Sequence, residues 1–307
     1  LAGPATGIFG LGRYYRDFVS ADSTGTRSLG AIASRFLRIP TERISVMQGA
    51  SLPEAAGILS HEFAHLLGVP DLFNVDFVYR EGRQPVDDSA GIGAWGLMGW
   101  GALGWSGNDG PNSFSAWTLL ELGWVDIVRP TSKNDVMRLA PIMEGRAVYE
   151  ILLPNNRERF LVANRSRADN YYDRHIPGEG LLIWHEETDA ALNGADLECA
   201  DGKWVSAGFP LGSIQDESDG GDNLDFWAHD AQYRQTHAGN IGDATDPFDG
   251  VNYRRFSPET NPGSRSSSGE WSFLVEDIEF DADRIATAIV HPVPLVEVTL
   301  KITDDSG

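Results

Sequence analysis

Two histidines and a glutamate have a spacing that can hold a metal ion and activate water. They lie in the run Ser60-His61-Glu62-Phe63-Ala64-His65, where the histidines are four positions apart. On a helix this spacing places both imidazoles on one face, one turn apart, so that they can bind one zinc ion. Glu62 would lie beside the metal and act as the general base, taking a proton from water and passing it to a leaving amine.

The surroundings of this motif favour a bound metal over a purely structural pair of histidines. Most neighbouring residues are apolar, so we expect a buried helix, in which two histidines and a glutamate are costly unless they hold an ion. A catalytic zinc usually takes three protein ligands. Gly68 can turn the chain so that Asp71 reaches back as the third ligand. If Asp71 only forms a turn, Asp76, His185 or a residue outside this sequence is the alternative ligand.

The elements that position these residues follow from the sequence pattern. Ser51 and Glu54 have the spacing of a capping box, so the metal-binding helix is expected to start there and to end at Gly68. The Gly- and Trp-rich residues 89–105 indicate a tight, packed loop, and residues 111–123 a second helix. From about residue 129 apolar residues recur with period two. The predicted strands are 43–47, 147–153, 159–162, 180–185, 273–276 and 285–290.

Length and pattern predict an α+β protein of two domains. The first, residues 1–128, would be the catalytic domain; the second, residues 129–291, would be β-rich and sandwich-like. Residues 292–307 would form a linker or the start of a following element. The chain begins with Leu1 and has no signal peptide, so we expect a processed or excised segment of a longer protein.

Composition excludes several classes of partner. The formal net charge is −21, from 45 acidic and 24 basic residues, and would repel nucleic acid and anionic lipid. Hydrophobic residues make up 41% of the chain, and no apolar run approaches the roughly 18 residues that a membrane span needs. Cys199 is the one cysteine, so an internal disulfide is impossible.

Two acidic, Gly-rich loops suggest calcium as a further cofactor. Clustered carboxylates repel one another unless a cation neutralises them, and calcium prefers oxygen ligands. Solvated loops without an ion are the alternative. The candidate ligands are Asp216, Asp219, Asp222 and Asp225 in one loop, and Asp243, Asp246 and Asp249 in the other.

Residues 61–71 resemble the metal motif of the immune inhibitor A family of secreted bacterial zinc metallopeptidases, H-E-F-G-H-x-L-G-x-P-D. Other segments similar to that family follow in the same order, so that the resemblance spans roughly residues 55–290. They are W-x-x-M at 95–98, F-x-A-W at 114–117, L-G-W at 122–124, A-N-R at 163–165, Y-D at 172–173, P-G-E-G-L-L-I-W-H at 177–185, A-D-G at 200–202 and G-D-A-T-D-P-F at 242–248.

The resemblance implies a metzincin-like catalytic domain, secretion, and endopeptidase activity on proteins or peptides. Met98 would form an apolar floor under the metal ligands; a plain core methionine is the alternative. Tyr172 and His185 could supply an extra oxyanion donor or be structural. We expect a monomer. Two other functions remain open: an inactive metallopeptidase-like binding module of a larger extracellular protein, and a zinc hydrolase of non-peptide substrates.

Overall fold

The computed structural model describes residues 52–73, 91–106, 109–132, 134–155, 157–187, 195–200, 241–260 and 262–292. The predicted strand at 43–47, the capping residue Ser51 and nearly all of the segment 292–307 lie outside these residues. Three α-helices occur in the described part: α1 (Leu52–Leu66), α2 (Ala116–Glu121) and α3 (Ile142–Gly145). Two 3₁₀ turns, Gly93–Trp95 and Gly101–Leu103, lie in the predicted Gly- and Trp-rich loop.

Local sequence signals explain where the helices begin and end. Pro53 lies in the first turn of α1, where a missing N–H is tolerated. Gly68 has φ +92° just after the helix, a conformation that few residues other than glycine adopt. The second helix was predicted to start at residue 111, and this was wrong: α2 begins at Ala116, because the Ser115 hydroxyl accepts a hydrogen bond from the Thr118 N–H.

The strands form two sheets. The strands are β1 (Asp126–Val128), β2 (Asp135–Leu139), β3 (Ala147–Leu152), β4 (Glu158–Arg165), β5 (Gly180–Glu187), β6 (Ala195–Leu197), β7 (Phe273–Phe280) and β8 (Ala286–Pro292). The five-stranded sheet has the order β1-β3-β4-β5-β6, and the three-stranded sheet has the order β2-β8-β7. All strand pairs are antiparallel except β1 and β3, which are parallel.

The five-stranded sheet is buried on both faces. On β5, Leu182 and Trp184 pack into a core cluster with residues of the helical part of the chain, including Ala64. The alternating residues Leu181 and Ile183 pack into a second cluster with the three-stranded sheet. Fully burying one large apolar side chain contributes about 1.5–3 kcal/mol, so both clusters stabilise the fold. In the part of the chain that the structure describes, the architecture is therefore α+β, with mostly β-sheet and few helices.

Several predictions about organisation can be placed on this architecture. The strands at 147–153, 159–162, 180–185, 273–276 and 285–290 are confirmed. Strand β1 lies before the predicted domain boundary at residue 128, but it pairs with β3 beyond it. Among the residues that the structure describes, no helix is both long and apolar enough to cross a membrane. The metzincin-like arrangement stays a prediction.

Candidate metal centre

Helix α1 presents His61 and His65 to the same side, and the backbone fixes the orientation of both rings. The Nδ1 atom of His61 donates to the carbonyl oxygen of Leu97 at 2.7 Å, and Nδ1 of His65 donates to that of Val69 at 2.9 Å. Because a carbonyl oxygen can only accept, each Nδ1 carries a proton in these bonds. The two Nε2 atoms are therefore the ones directed at the candidate centre, as in histidine metal sites whose other nitrogen is hydrogen-bonded.

Asp71 completes a group of three convergent ligand atoms. Its Oδ1 lies 2.9 Å from Nε2 of His61 and 3.4 Å from Nε2 of His65. Ligand atoms of the three residues all lie within 4.8 Å of one another. In a tetrahedral zinc site with bonds of about 2.0–2.1 Å, two ligand atoms are about 3.3 Å apart. The two spacings made by Asp71 are close to this value, and two imidazoles with a carboxylate are ligand types that zinc takes.

The bend after α1 brings Asp71 back toward the helix. Gly68 ends the last turn, where its N–H donates to the carbonyl oxygen of His65 at 3.0 Å. The N–H of Leu72, the residue after Asp71, donates to the carbonyl oxygen of Met98 at 2.8 Å. Two backbone hydrogen bonds therefore hold the segment that carries the third candidate ligand, and the predicted role of Gly68 in turning the chain is confirmed.

Asp71 and His65 shift each other's pKa values, and His61 adds to the shift of Asp71. Burial acts to raise the pKa of Asp71, but hydrogen bonds from His61 and His65 outweigh it and hold that pKa far below its usual range. Burial acts to lower the pKa of His65, but the hydrogen bond and charge of Asp71 outweigh it and raise that pKa. Asp71 therefore favours the charged form of His65, and His65 favours the charged form of Asp71, in the space that a cation would fill.

Glu62 lies between the two histidines in sequence and is buried, with 6% of its surface exposed. Burial raises the pKa of its carboxyl group, although the neighbouring histidines act in the opposite direction. A carboxylate whose pKa is raised toward neutrality is a better proton acceptor for general base catalysis. Its position and pKa suit the predicted role.

The candidate centre is open to solvent on one side. The Asp71 side chain is 41% exposed and that of His65 28% exposed. An apolar cavity of about 540 Å³ also borders α1, but along Leu59, Phe63 and Leu67. Phe63 is two positions from both histidines, a rotation of about 200° around the helix axis. The cavity therefore borders the face of α1 that carries Phe63, and it is also lined by Leu97, whose carbonyl oxygen accepts from His61.

Comparisons of the chain with protein-family models, with curated proteins and with solved structures found no match. The functional assignment therefore depends on the residues and their geometry.

The remaining predicted residues lie in other surroundings. Met98 is completely buried, in the same apolar cluster as Val69 and Leu72, which flank Asp71 in sequence. His185, the alternative ligand, is placed elsewhere: its Nε2 lies 2.9 Å from Glu158 on β4, and its ring stacks on Phe160. Asp76 lies outside the described residues.

Tyr172, the other candidate for an extra oxyanion donor, borders the apolar cavity. Its side chain is largely exposed. The role of Tyr172 as an oxyanion donor stays a prediction.

The carboxylates of the second acidic loop accept hydrogen bonds from other groups of the protein. Asp249 accepts hydrogen bonds from the backbone N–H groups of residues 251, 252 and 253. Asp243 accepts from Thr245, and Asp246 accepts from the indole of Trp95. Within the described ranges, the one group of three metal-ligating side chains is the His61, His65 and Asp71 set. Asp216, Asp219, Asp222 and Asp225 lie outside those ranges, so calcium there stays a prediction.

Sequence reasoning missed the groups that orient the histidine rings. The acceptors are the backbone carbonyls of Val69 and Leu97, and backbone atoms leave no residue-type signal. A second missed group is Arg165, which is fully buried on β4. An arginine two positions after the apolar run Phe160-Leu161-Val162-Ala163 is a signal that could have marked it, because buried arginines need a partner.

Proposed function

We propose that this chain is a secreted zinc-dependent endopeptidase of the immune inhibitor A family, hydrolysing peptide bonds in proteins. The observation that supports this most strongly is the convergence of Nε2 of His61, Nε2 of His65 and Oδ1 of Asp71, with Glu62 adjacent on the same helix. Two histidines and a carboxylate form a ligand set that catalytic zinc sites use, leaving a position for water or substrate.

The proposed roles of the residues follow from their positions. His61, His65 and Asp71 would hold the zinc ion, which when bound lowers the pKa of water and polarises a carbonyl group. Glu62 would take the proton from the attacking water at a carboxylate oxygen and deliver it to the nitrogen of the leaving amine. The backbone carbonyls of Leu97 and Val69 keep the two Nε2 atoms directed at the metal.

The metal content and activity of the purified protein test this proposal. We expect about one zinc per chain, cleavage of unfolded casein, loss of cleavage with phenanthroline, and recovery when zinc is added back. Bound zinc without cleavage of casein or of model esters would instead favour the inactive binding module. Hydrolysis of esters alone would favour a non-peptide hydrolase. A folded protein that takes up no zinc would overturn the metal site itself.

A further inference from the structure

We propose that Arg165, Asp173 and Asp246 are positioning residues for the metal centre, acting through the loop 95–98. The inference builds on the proposed function, because it presupposes a metal ion at His61, His65 and Asp71. None of the three positioning residues is itself placed at that centre. Their effect would pass through backbone hydrogen bonds of the loop.

The loop 95–98 contacts both sides of the candidate centre. The carbonyl oxygen of Leu97 accepts the hydrogen bond from Nδ1 of His61 at 2.7 Å. The next carbonyl, of Met98, accepts from the N–H of Leu72 at 2.8 Å, and Leu72 directly follows Asp71. A displacement of this loop would therefore turn one histidine ring and shift the carboxylate ligand together.

Two buried side chains from distant parts of the sequence hold Trp95, the first residue of the loop. Nη1 of Arg165 donates to the carbonyl oxygen of Trp95 at 3.0 Å. The indole Nε1 of Trp95 donates to Oδ2 of Asp246 at 2.6 Å. Both Asp246 and Trp95 are completely buried. Hydrogen bonds to charged groups away from water are strong, so Trp95 is fixed at both its backbone and its side chain.

Arg165 is in turn fixed by Asp173. The pair is bidentate, with Nε to Oδ2 at 2.9 Å and Nη2 to Oδ1 at 2.6 Å. Their side chains are 1% and 0% exposed. Separating the two partners of such a buried pair would leave each charge uncompensated, which is costly. The guanidinium therefore has little freedom to move. The Trp95 carbonyl is thereby tied to strand β4.

Tight packing carries this constraint from Trp95 to Leu97. Between them lies Gly96, where an added Cβ would come within 2.5 Å of a side-chain atom of Ile92 and 3.1 Å of the Ser115 Cβ. A loop with so little space cannot absorb a shift at Trp95 by local rearrangement, because protein interiors are close-packed. The position of the Leu97 carbonyl therefore depends on the hydrogen bonds of Trp95.

The test measures zinc affinity of metal-free protein by competition with a chromogenic chelator, together with the visible spectrum of the cobalt-loaded protein. Trp95→Phe removes the indole donor and keeps an aromatic ring. Arg165→Lys keeps the charge but cannot reproduce the bidentate pairing. Loss of a group that orients a metal ligand typically lowers affinity about 10–100-fold, and we expect this range for both variants and an altered cobalt spectrum.

Two variants control for loss of core packing. Trp184→Phe makes the same ring change at a buried site where, among the described residues, the indole Nε1 meets no acceptor. Asn164→Ala, next to Arg165 on β4, removes a buried hydrogen bond to the carbonyl of Leu139 and a partly buried one to the carbonyl of Arg284. We expect both controls to bind zinc as the unaltered protein does, after melting temperatures confirm that they are folded.

The possible results distinguish a failure of this inference from a failure of the proposed function. Wild-type zinc affinity in a folded Trp95→Phe variant would overturn the inference, as would an equal loss in Trp184→Phe. If Arg165→Lys does not fold, the zinc affinity of Trp95→Phe alone decides the test. Unaltered protein that binds zinc but cleaves no peptide would refute the endopeptidase while leaving the affinity comparison valid. Unaltered protein that binds no zinc would overturn both.

Discussion

Nδ1 of His65 donates a hydrogen bond to the carbonyl oxygen of Val69, 2.9 Å away, across the bend that ends helix α1. The candidate ligand is therefore bound to the backbone immediately after its own helix. Gly68, with φ +92°, is the residue that allows the chain to turn between them. Ring orientation and helix termination are thus parts of one local structure, and a change at Gly68 should affect both.

Gly68→Ala is expected to destabilise the protein by about 1–2 kcal/mol and to weaken zinc binding. An added Cβ would meet no atom within 4 Å, so the destabilisation comes from the positive φ alone. Urea unfolding and zinc competition measure the two effects. Gly269→Ala is the matched control, because Gly269 also has positive φ and open space around it but lies in the turn four residues before β7. Equal zinc affinities in the two variants would contradict the prediction.

Glu62→Gln is expected to retain zinc and to lose about 10²–10⁴-fold in the rate of casein cleavage, the usual contribution of a general base. The amide keeps the size of the side chain but cannot accept the proton. Metal analysis and steady-state cleavage assays on the same preparation measure both quantities. Full activity with zinc bound would show that Glu62 is not the base.

Asp71→Asn is expected to weaken zinc binding, and Asp71→Ala to weaken it by more than the roughly 100-fold typical of losing a group that only orients a ligand. The amide retains an oxygen but not the charge, whereas alanine removes the ligand. Zinc competition on metal-free protein measures the order of affinities. Asp281→Asn, at the exposed turn between β7 and β8, serves as the control. Unchanged affinity in Asp71→Ala would restore Asp76 as the candidate ligand.

The buried contact of His185 with Glu158 and Glu198 predicts a pH-dependent stability. Burial acts to lower the pKa of His185, but Glu198 and Glu158 outweigh it and raise that pKa above its ordinary 6.5. Its contribution is then complete below pH 6.5 and is lost as the pH rises through the raised value. Burial acts to raise the pKa of Glu158, but hydrogen bonds from Ser267, His185 and Asn155 outweigh it and lower that pKa below its ordinary 4.5.

Because the Glu158 contribution is present above pH 4.5 and lost as the pH falls through the lowered value, the two contributions coincide between pH 4.5 and 6.5. The melting temperature of the unaltered protein should exceed that of His185→Gln most in this window. The difference should shrink as the pH rises further. Thermal melts of both proteins in the presence of a chelator measure it. A constant difference from pH 5 to 9 would refute this account.

Much of the local structure could be predicted, because it depends on residues that are close together in the sequence. The helix with His61 and His65, the turn at Gly68 and the hairpin of β3 and β4 all follow from spacing and glycine placement. Strand β1 was not predicted, because a strand of three residues is too short to show a period-two pattern, and two of its residues are exposed. The bond from His61 to Leu97 spans 36 positions, and that from Arg165 to Trp95 spans 70, so no local pattern could predict either.

The parallel pairing of β1 with β3 has a consequence for any attempt to produce the two predicted halves separately. A break after residue 128 would remove β1 from the edge of the five-stranded sheet and leave unpaired the backbone groups of β3 that face β1. It would also expose Leu182 and Trp184, which pack against the helical half. Each half should then be prone to aggregation and poorly soluble alone. Library screens or crystallisation trials should therefore retain both halves in a single polypeptide.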